Sequence, residues 1–307
     1  MSLSMIFPGQ GSQAVGMMSD LAEEHPLVKD LFLEASDALG SDLWALTQEG
    51  PIETLSETEN TQPALLTAGV AAWRVWQSLG GAQPQVMAGH SLGEYTALVC
   101  AEALSFNDGV ALVRDRGRYM QEAVPAGQGG MAAIIGLDDD KVREVCAETA
   151  NGDVLQAVNF NAPGQVVIAG SADAIARAAI TMKDAGAKRA LPLPVSIPAH
   201  SSLMTPASAR LAERIAGIEF SIPSVPVIHN CNVEIAANTQ QIKDNLVTQL
   251  DSPVRWVESV QAMHDDGVTH FVESGPGRVL GGMVKRIVKG VDVSSIDKPD
   301  AIASLTS

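Results

Sequence analysis

The chain has 307 residues, 46% hydrophobic and 18% charged, a composition that supports a sizeable buried core in one large domain or in a large domain carrying a small one. Its formal charge of −16 argues against nucleic acid as a partner, because phosphate binding needs a concentrated basic surface. Cys100, Cys146 and Cys231 show neither disulfide nor zinc-ligand spacing, Ala64 to Trp73 is too short to span a bilayer, and Met1 to Ser4 does not open a signal peptide, so a metal-free cytoplasmic protein is expected.

In chain order, Ser4 to Phe7 reads as a first strand, followed by a glycine-rich turn and helices, one of which, Leu27 to Leu39, has apolar residues at helical spacing. A further helix is expected to open after Thr61-Gln62-Pro63, with Pro63 as its first residue, and to run to Leu79 before Gly80-Gly81. The apolar run Val86-Met87-Ala88 then leads into Gly89-His90-Ser91-Leu92-Gly93, and helix-favouring residues from Glu94 to Ala101 lead out. Strand, tight turn and helix are the setting in which G-x-S-x-G forms a nucleophile elbow. Ser91 is therefore the candidate nucleophile, and the Leu92 N–H, at a helix start, is placed to receive an oxyanion.

Strands alternating with helices imply a parallel sheet covered on both faces. Between Val124 and Val195 the rhythm changes to strand (131–135), helix (139–150), strand (154–159), strand (165–169), helix (172–185) and strand (187–193), the ferredoxin-like β-α-β-β-α-β order. The expected fold is α/β: a large hydrolase-like domain of residues 1–123 and 197–307, its parallel sheet flanked by helices, with an inserted ferredoxin-like subdomain of residues 124–196. After the insertion the chain returns to helix (203–215), strand (225–229), two helices (239–250 and 254–264), strand (269–273) and helix (279–288).

A serine hydroxyl needs a base, and histidine is the usual one. His90 adjoins Ser91 in a tight turn and is expected to project elsewhere; His25, His264 and His270 carry no supporting signal. His200 and His229 remain, and His200 is favoured because it lies in a proline-punctuated loop at a strand's C-terminal end, where open α/β sheets build sites. No acid between Ser91 and His200 stands in a recognisable motif, which points to a dyad whose histidine is oriented by a neutral group. In the helix spanning Asn107 to Val124, Arg116 projects from within the apolar face. A buried unpaired charge costs about 3 to 5 kcal/mol, so either a protein carboxylate or a substrate carboxylate must meet that guanidinium. Gly9-Gln10-Gly11-Ser12-Gln13-Ala14 matches a dinucleotide fingerprint, but Glu34, at the offset of the required acid, lies inside an amphipathic helix. The loop is either a plain tight strand-helix turn or a means to bring a backbone N–H, that of Gln10 or a neighbour, to a reacting carbonyl. Two basic clusters, Lys183/Lys188/Arg189 and Lys285/Arg286/Lys289, could meet an anionic partner.

F-P-G-Q-G-S-Q (7–13), T-Q-P-A-L (61–65), G-H-S-L-G-E-Y (89–95), R-x-R-G (114–117), V-N-F-N-A-P-G-Q-V-V-I-A-G (158–170), the segment ending at His200, Q-L-x-x-P-V-R-W (249–256) and G-P-G (275–277) together resemble the malonyl-CoA:acyl carrier protein transacylases, in the family's order and over essentially the whole chain. The resemblance implies that Ser91 attacks a malonyl thioester, that His200 acts as base and then acid, and that the Leu92 and Gln10 N–H groups hold the oxyanion. It further implies that Arg116 clamps the malonyl carboxylate, that a carbonyl at Gln249 orients His200, and that Asn159 and Asn161 line the pantetheine entrance. Malonyl would pass from coenzyme A, a substrate rather than a cofactor, to the carrier protein's phosphopantetheine thiol by a ping-pong route, with no metal or bound cofactor and nothing demanding more than a monomer. Ala199, before the histidine, is small where relatives often carry Ser or Phe, so a strict malonyl preference is open to a branched competitor. The rival readings are a serine thioesterase or hydrolase, an acyltransferase of a polyketide or malonate-metabolism pathway, and a non-catalytic carrier-protein binding module.

Overall fold

The computed structural model describes residues 2–195 and 197–306. Among these the strands are β1 (Leu3–Phe7), β2 (Val86–Gly89), β3 (Gly129–Ile135), β4 (Leu155–Ala162), β5 (Gln165–Ser171), β6 (Arg189–Pro192), β7 (Val227–Ile228), β8 (His270–Glu273) and β9 (Asp292–Ser295). The first sheet is wholly parallel, in the order β7-β2-β1-β8-β9. Every residue of β1 and β2 is buried, as expected of strands covered on both faces. Met5, Phe7, Met87 and Val272 pack into one core with the helices Thr58–Ser78, Leu92–Cys100 and Phe106–Ala123. Ile6, Ala88 and Phe271 face the opposite way, onto the helices Trp256–Asp265 and Val279–Ile287.

The second sheet is antiparallel, in the order β4-β5-β3-β6, and its helices Asp139–Ala150 and Ala172–Asp184 cover one face. This is the ferredoxin-like arrangement expected from the element order. The other face presents Met131, Val158, Val167 and Ala169, packed against Leu193, Val195 and Ala199. β4 is irregular between Ala157 and Asn159 and again between Phe160 and Ala162. There its backbone turns to bond Val254 of the larger part, with Phe160 N–H donating to Val254 O at 3.0 Å and Val254 N–H to Val158 O at 2.8 Å. That bridge fixes Asn159 at the junction between the two sheets.

One expectation about the elements is corrected, and two C-terminal elements are added. The Thr58–Ser78 helix begins five residues before Pro63, which sits inside it rather than at its start. Thr61 anchors the added turn through its hydroxyl, which donates to the Leu55 carbonyl, and the whole segment from Thr61 to Trp73 is buried, so packing overrides the proline signal. The structure adds the C-terminal β9 and the helix Pro299–Thr306; Asp-Val-Ser-Ser shows no apolar run, and β9 is an edge strand held by β8. Among the described residues no helix is long and apolar enough to cross a membrane.

Candidate active site

Three strand ends of the parallel sheet converge, as open α/β sheets require. The loop after β1 brings Gln10, the turn after β2 brings Ser91, and the segment after β7 brings His229 and Asn230. Ser91 has φ 53° and ψ −108°, a strained conformation for a residue with a Cβ. The elbow's two glycines keep negative φ; their use is close approach. A Cβ on Gly89 would lie 1.9 Å from the Gly93 carbonyl, and one on Gly93 would lie 2.1 Å from Phe7 O. The serine therefore carries the strain while the glycines let strand, turn and helix pack together.

Ser91 Oγ lies 2.7 Å from His200 Nε2, and His200 Nδ1 lies 2.8 Å from the backbone carbonyl of Gln249. Since a carbonyl only accepts, Nδ1 carries the proton and Nε2 presents its lone pair to the hydroxyl. His200 is 3% exposed, and burial, helped by the Arg116 charge and opposed by the Gln249 carbonyl, pushes its pKa down to about 3. It is a neutral base at ordinary pH. His229, the other candidate, is occupied elsewhere: its Nδ1 lies 2.7 Å from the buried carboxylate of Glu94.

Arg116 comes from the Phe106–Ala123 helix and is 1% exposed. Its guanidinium donates to Gln62 Oε1 at 2.8 Å, to Gln249 Oε1 at 3.0 Å and to Ser91 Oγ at 3.2 Å, while its Nε has no partner. It also stands 5.2 Å from the centre of the Tyr95 ring. Burial lowers its pKa from the usual arginine range and raises that of the Tyr95 hydroxyl. No carboxylate lies within ion-pair distance of it among the described residues. A buried cation whose hydrogen-bond partners are all neutral has unspent capacity to pair with an anion. Gly117, next in sequence, lets the helix sit against Thr58, where a Cβ would meet Thr58 O at 2.7 Å.

These groups open into a cavity of about 220 Å³ between the two sheets, lined in part by Gln10, Gln62, Leu92, Met120, Asn159 and Ala199. The Leu92 N–H is the first of its helix, where helix geometry supplies no acceptor. Asn159 lines the cavity with its Oδ1 buried and unpartnered. Asn161 does not line it: its Oδ1 accepts from His90 Nε2 at 2.8 Å, because the irregular stretch of β4 turns it toward the elbow. His90 itself faces the cavity, contrary to expectation, with its ring edge-on to Trp256 at 5.7 Å. Sequence reasoning also passed over Gln62, Glu94 and Asn230. Glu94 left a readable signal, being the only charged residue in the Leu92–Cys100 helix. Gln62 lies in the T-Q-P-A-L motif without a role that the motif itself states, and Asn230 left no signal outside the fold.

Residues 4–299 match the family model described as acyl transferase domain. The chain is 56% identical over 301 residues to the malonyl CoA-acyl carrier protein transacylase of Salmonella typhimurium, covering 98% of this chain and 97% of that one. Among solved structures, an acyl carrier protein S-malonyltransferase from Vibrio cholerae superposes with a TM-score of 0.97 at 54% identity, covering 99% of both chains. A malonyl-transacylase solved in complex with a type II PKS acyl-carrier protein superposes with a TM-score of 0.99 at 51% identity, covering 100% of this chain and 99% of that one. The elbow serine, its buried histidine and the arginine beside them thus stand in an acyltransferase, and the chain belongs to the family of malonyl CoA-acyl carrier protein transacylases.

Proposed function

We propose that this chain transfers a malonyl group from coenzyme A to the phosphopantetheine thiol of acyl carrier protein, in the cytoplasm and in fatty-acid biosynthesis, by a ping-pong route through a malonyl-Ser91 ester. The observation that carries the reading is the position of Ser91 Oγ between His200 Nε2 and Arg116 Nη2. In the first half-reaction His200 takes the hydroxyl proton as Ser91 Oγ attacks the thioester carbonyl. The tetrahedral oxyanion is received by the Leu92 and Gln10 N–H groups, and its collapse breaks the C–S bond. The coenzyme A thiolate leaves with the proton carried by His200. In the second half His200 deprotonates the carrier's thiol, the thiolate attacks the ester carbonyl, the intermediate collapses with cleavage of the C–O bond to Ser91, and the leaving Ser91 Oγ takes the proton back from His200.

Arg116 binds the malonyl carboxylate, which supplies the missing counter-charge and removes the main electrostatic pressure on His200. Asn159, at the junction of the two sheets, lines the pantetheine route. The Gln249 carbonyl holds the imidazole in the tautomer the chemistry needs. No metal or bound cofactor enters these steps, and a single copy of the chain carries every group named. Intact-mass measurement after mixing with malonyl-CoA tests the proposal. One malonyl adduct per chain is expected, mapping to Ser91 and absent from Ser91→Ala; an adduct on Ser91→Ala, or none on the parent, overturns it.

A further inference from the structure

A buried carboxylate one turn beyond Ser91 touches no reacting atom yet joins most of the site. Glu94 is 0% exposed and accepts from His229 Nδ1 at 2.7 Å, Asn230 N–H at 2.8 Å and Gln249 Nε2 at 2.9 Å. Two of these donors hold Ser91 by its own peptide groups. Asn230 Oδ1 accepts from Ser91 N–H at 2.7 Å, while Asn230 Nδ2 donates to Gly89 O at 2.7 Å. Gln249 Nε2 donates to Ser91 O at 3.0 Å, its Oε1 accepts from Arg116, and its backbone carbonyl accepts from His200. Ser91 has a strained backbone that persists only if its surroundings over-determine it, and these two amides are part of those surroundings.

We infer that Glu94 is a positioning residue: its carboxylate, by reach, fixes Asn230 and Gln249 so that they clamp the strained Ser91 and align Gln249 with both Arg116 and His200. The inference rests on the reading of Ser91 and His200 as nucleophile and base. His229 is the fixed support of that carboxylate, its ring wholly enclosed beside it.

Reach and charge can be separated by two substitutions. Glu94→Gln keeps an oxygen where Asn230 and Gln249 need it, and the His229 ring, in its other tautomer, can accept from the new amide. Glu94→Asp keeps the charge and withdraws it by one methylene. Transfer of malonyl from malonyl-CoA to acyl carrier protein is measured on both, normalised to folded protein by circular dichroism, with kcat and KM separated. Glu94→Asp is expected to lower kcat about 50-fold with KM for malonyl-CoA changed less than about threefold, and Glu94→Gln to lower kcat only about threefold, as misplacement rather than lost binding predicts. An Asp variant at the parent kcat, or a Gln variant losing as much as Asp, overturns the inference. So does a loss confined to thermal stability in both, which is what a purely structural carboxylate would give. Ser91→Ala run alongside separates the two readings: if it stays active the nucleophile assignment fails, whereas an inactive Ser91→Ala with a fully active Glu94→Asp removes the role of Glu94 alone.

Discussion

At the scale of single residues, the reactive geometry depends on keeping one histidine neutral and one arginine charged in the same buried space. His200 is pushed down to about 3 in the folded chain, against about 6.5 when unfolded. Because the unfolded chain takes up the proton first, stability linked to this group is full above pH 6.5 and is lost progressively as pH falls toward 3. The catalytic counterpart is that kcat/KM for malonyl-CoA keeps its base active well into acid: the acid limb is expected below about pH 5, and a limb at 6.5 in the pH profile would contradict it. Replacing Arg116 with alanine removes one of the causes holding His200 down, so the same limb should move to higher pH. Arg116→Ala is also expected to reduce transfer from malonyl-CoA by on the order of 100-fold, the value of a charge-assisted hydrogen-bonded pair at about 2 to 3 kcal/mol. Activity on acetyl-CoA should rise relative to malonyl-CoA, and steady-state kinetics on the two thioesters reads both effects.

At the scale of elements, the strand-turn-helix unit explains why the elbow motif needs glycine on both sides of Ser91. Gly93→Ala would drive a methyl group into the Phe7 carbonyl, a backbone atom that cannot swing aside. Destabilisation of about 3 kcal/mol or more is expected, read by denaturant unfolding, since overpacking against backbone lies at or beyond the usual range for core enlargement. Gly11→Ala makes the contrast. Its φ is +106° but nothing lies within 4 Å of the added carbon, so only backbone strain opposes the change and about 1 kcal/mol is expected. The motif and its flanking runs were legible because G-x-S-x-G states its own local geometry. The start of the Thr58–Ser78 helix was not: Pro63 is a local helix-start signal, and the burial that overrides it comes from residues far away in the chain.

At the scale of the molecule, the cavity opens where the two sheets meet, and the ties across that junction include basic residues. Arg286 donates to the Pro163 carbonyl at 2.9 Å and to the Gln165 side chain, so part of the C-terminal basic cluster already bridges the two parts. Lys285 and Lys289 remain exposed beside it. If an acidic carrier docks there, Lys285→Glu with Lys289→Glu should raise the KM for carrier protein severalfold, most at low salt, and leave the half-reaction with malonyl-CoA alone unchanged. Equal KM values for the carrier in kinetics at two ionic strengths would remove that surface.

The sequence by itself determined the α/β class and the ferredoxin-like order of the second sheet, singled out Ser91 and Arg116, and narrowed the histidines to His200 and His229, because each left a local mark: a period, a motif, a charge on an apolar face, or a loop at a strand end. The tertiary structure alone decided which histidine meets Ser91, that no carboxylate among the described residues lies within ion-pair distance of Arg116, that Asn161 holds His90 instead of lining the cavity, and that Glu94, Asn230 and Gln249 enclose the elbow. The physical reason is distance along the chain. Contacts such as Ser91 with His200, Gln249 and Asn230 join segments 109, 158 and 139 residues apart, and a residue pattern read along the chain carries no information about which strand ends and helix ends will be brought side by side.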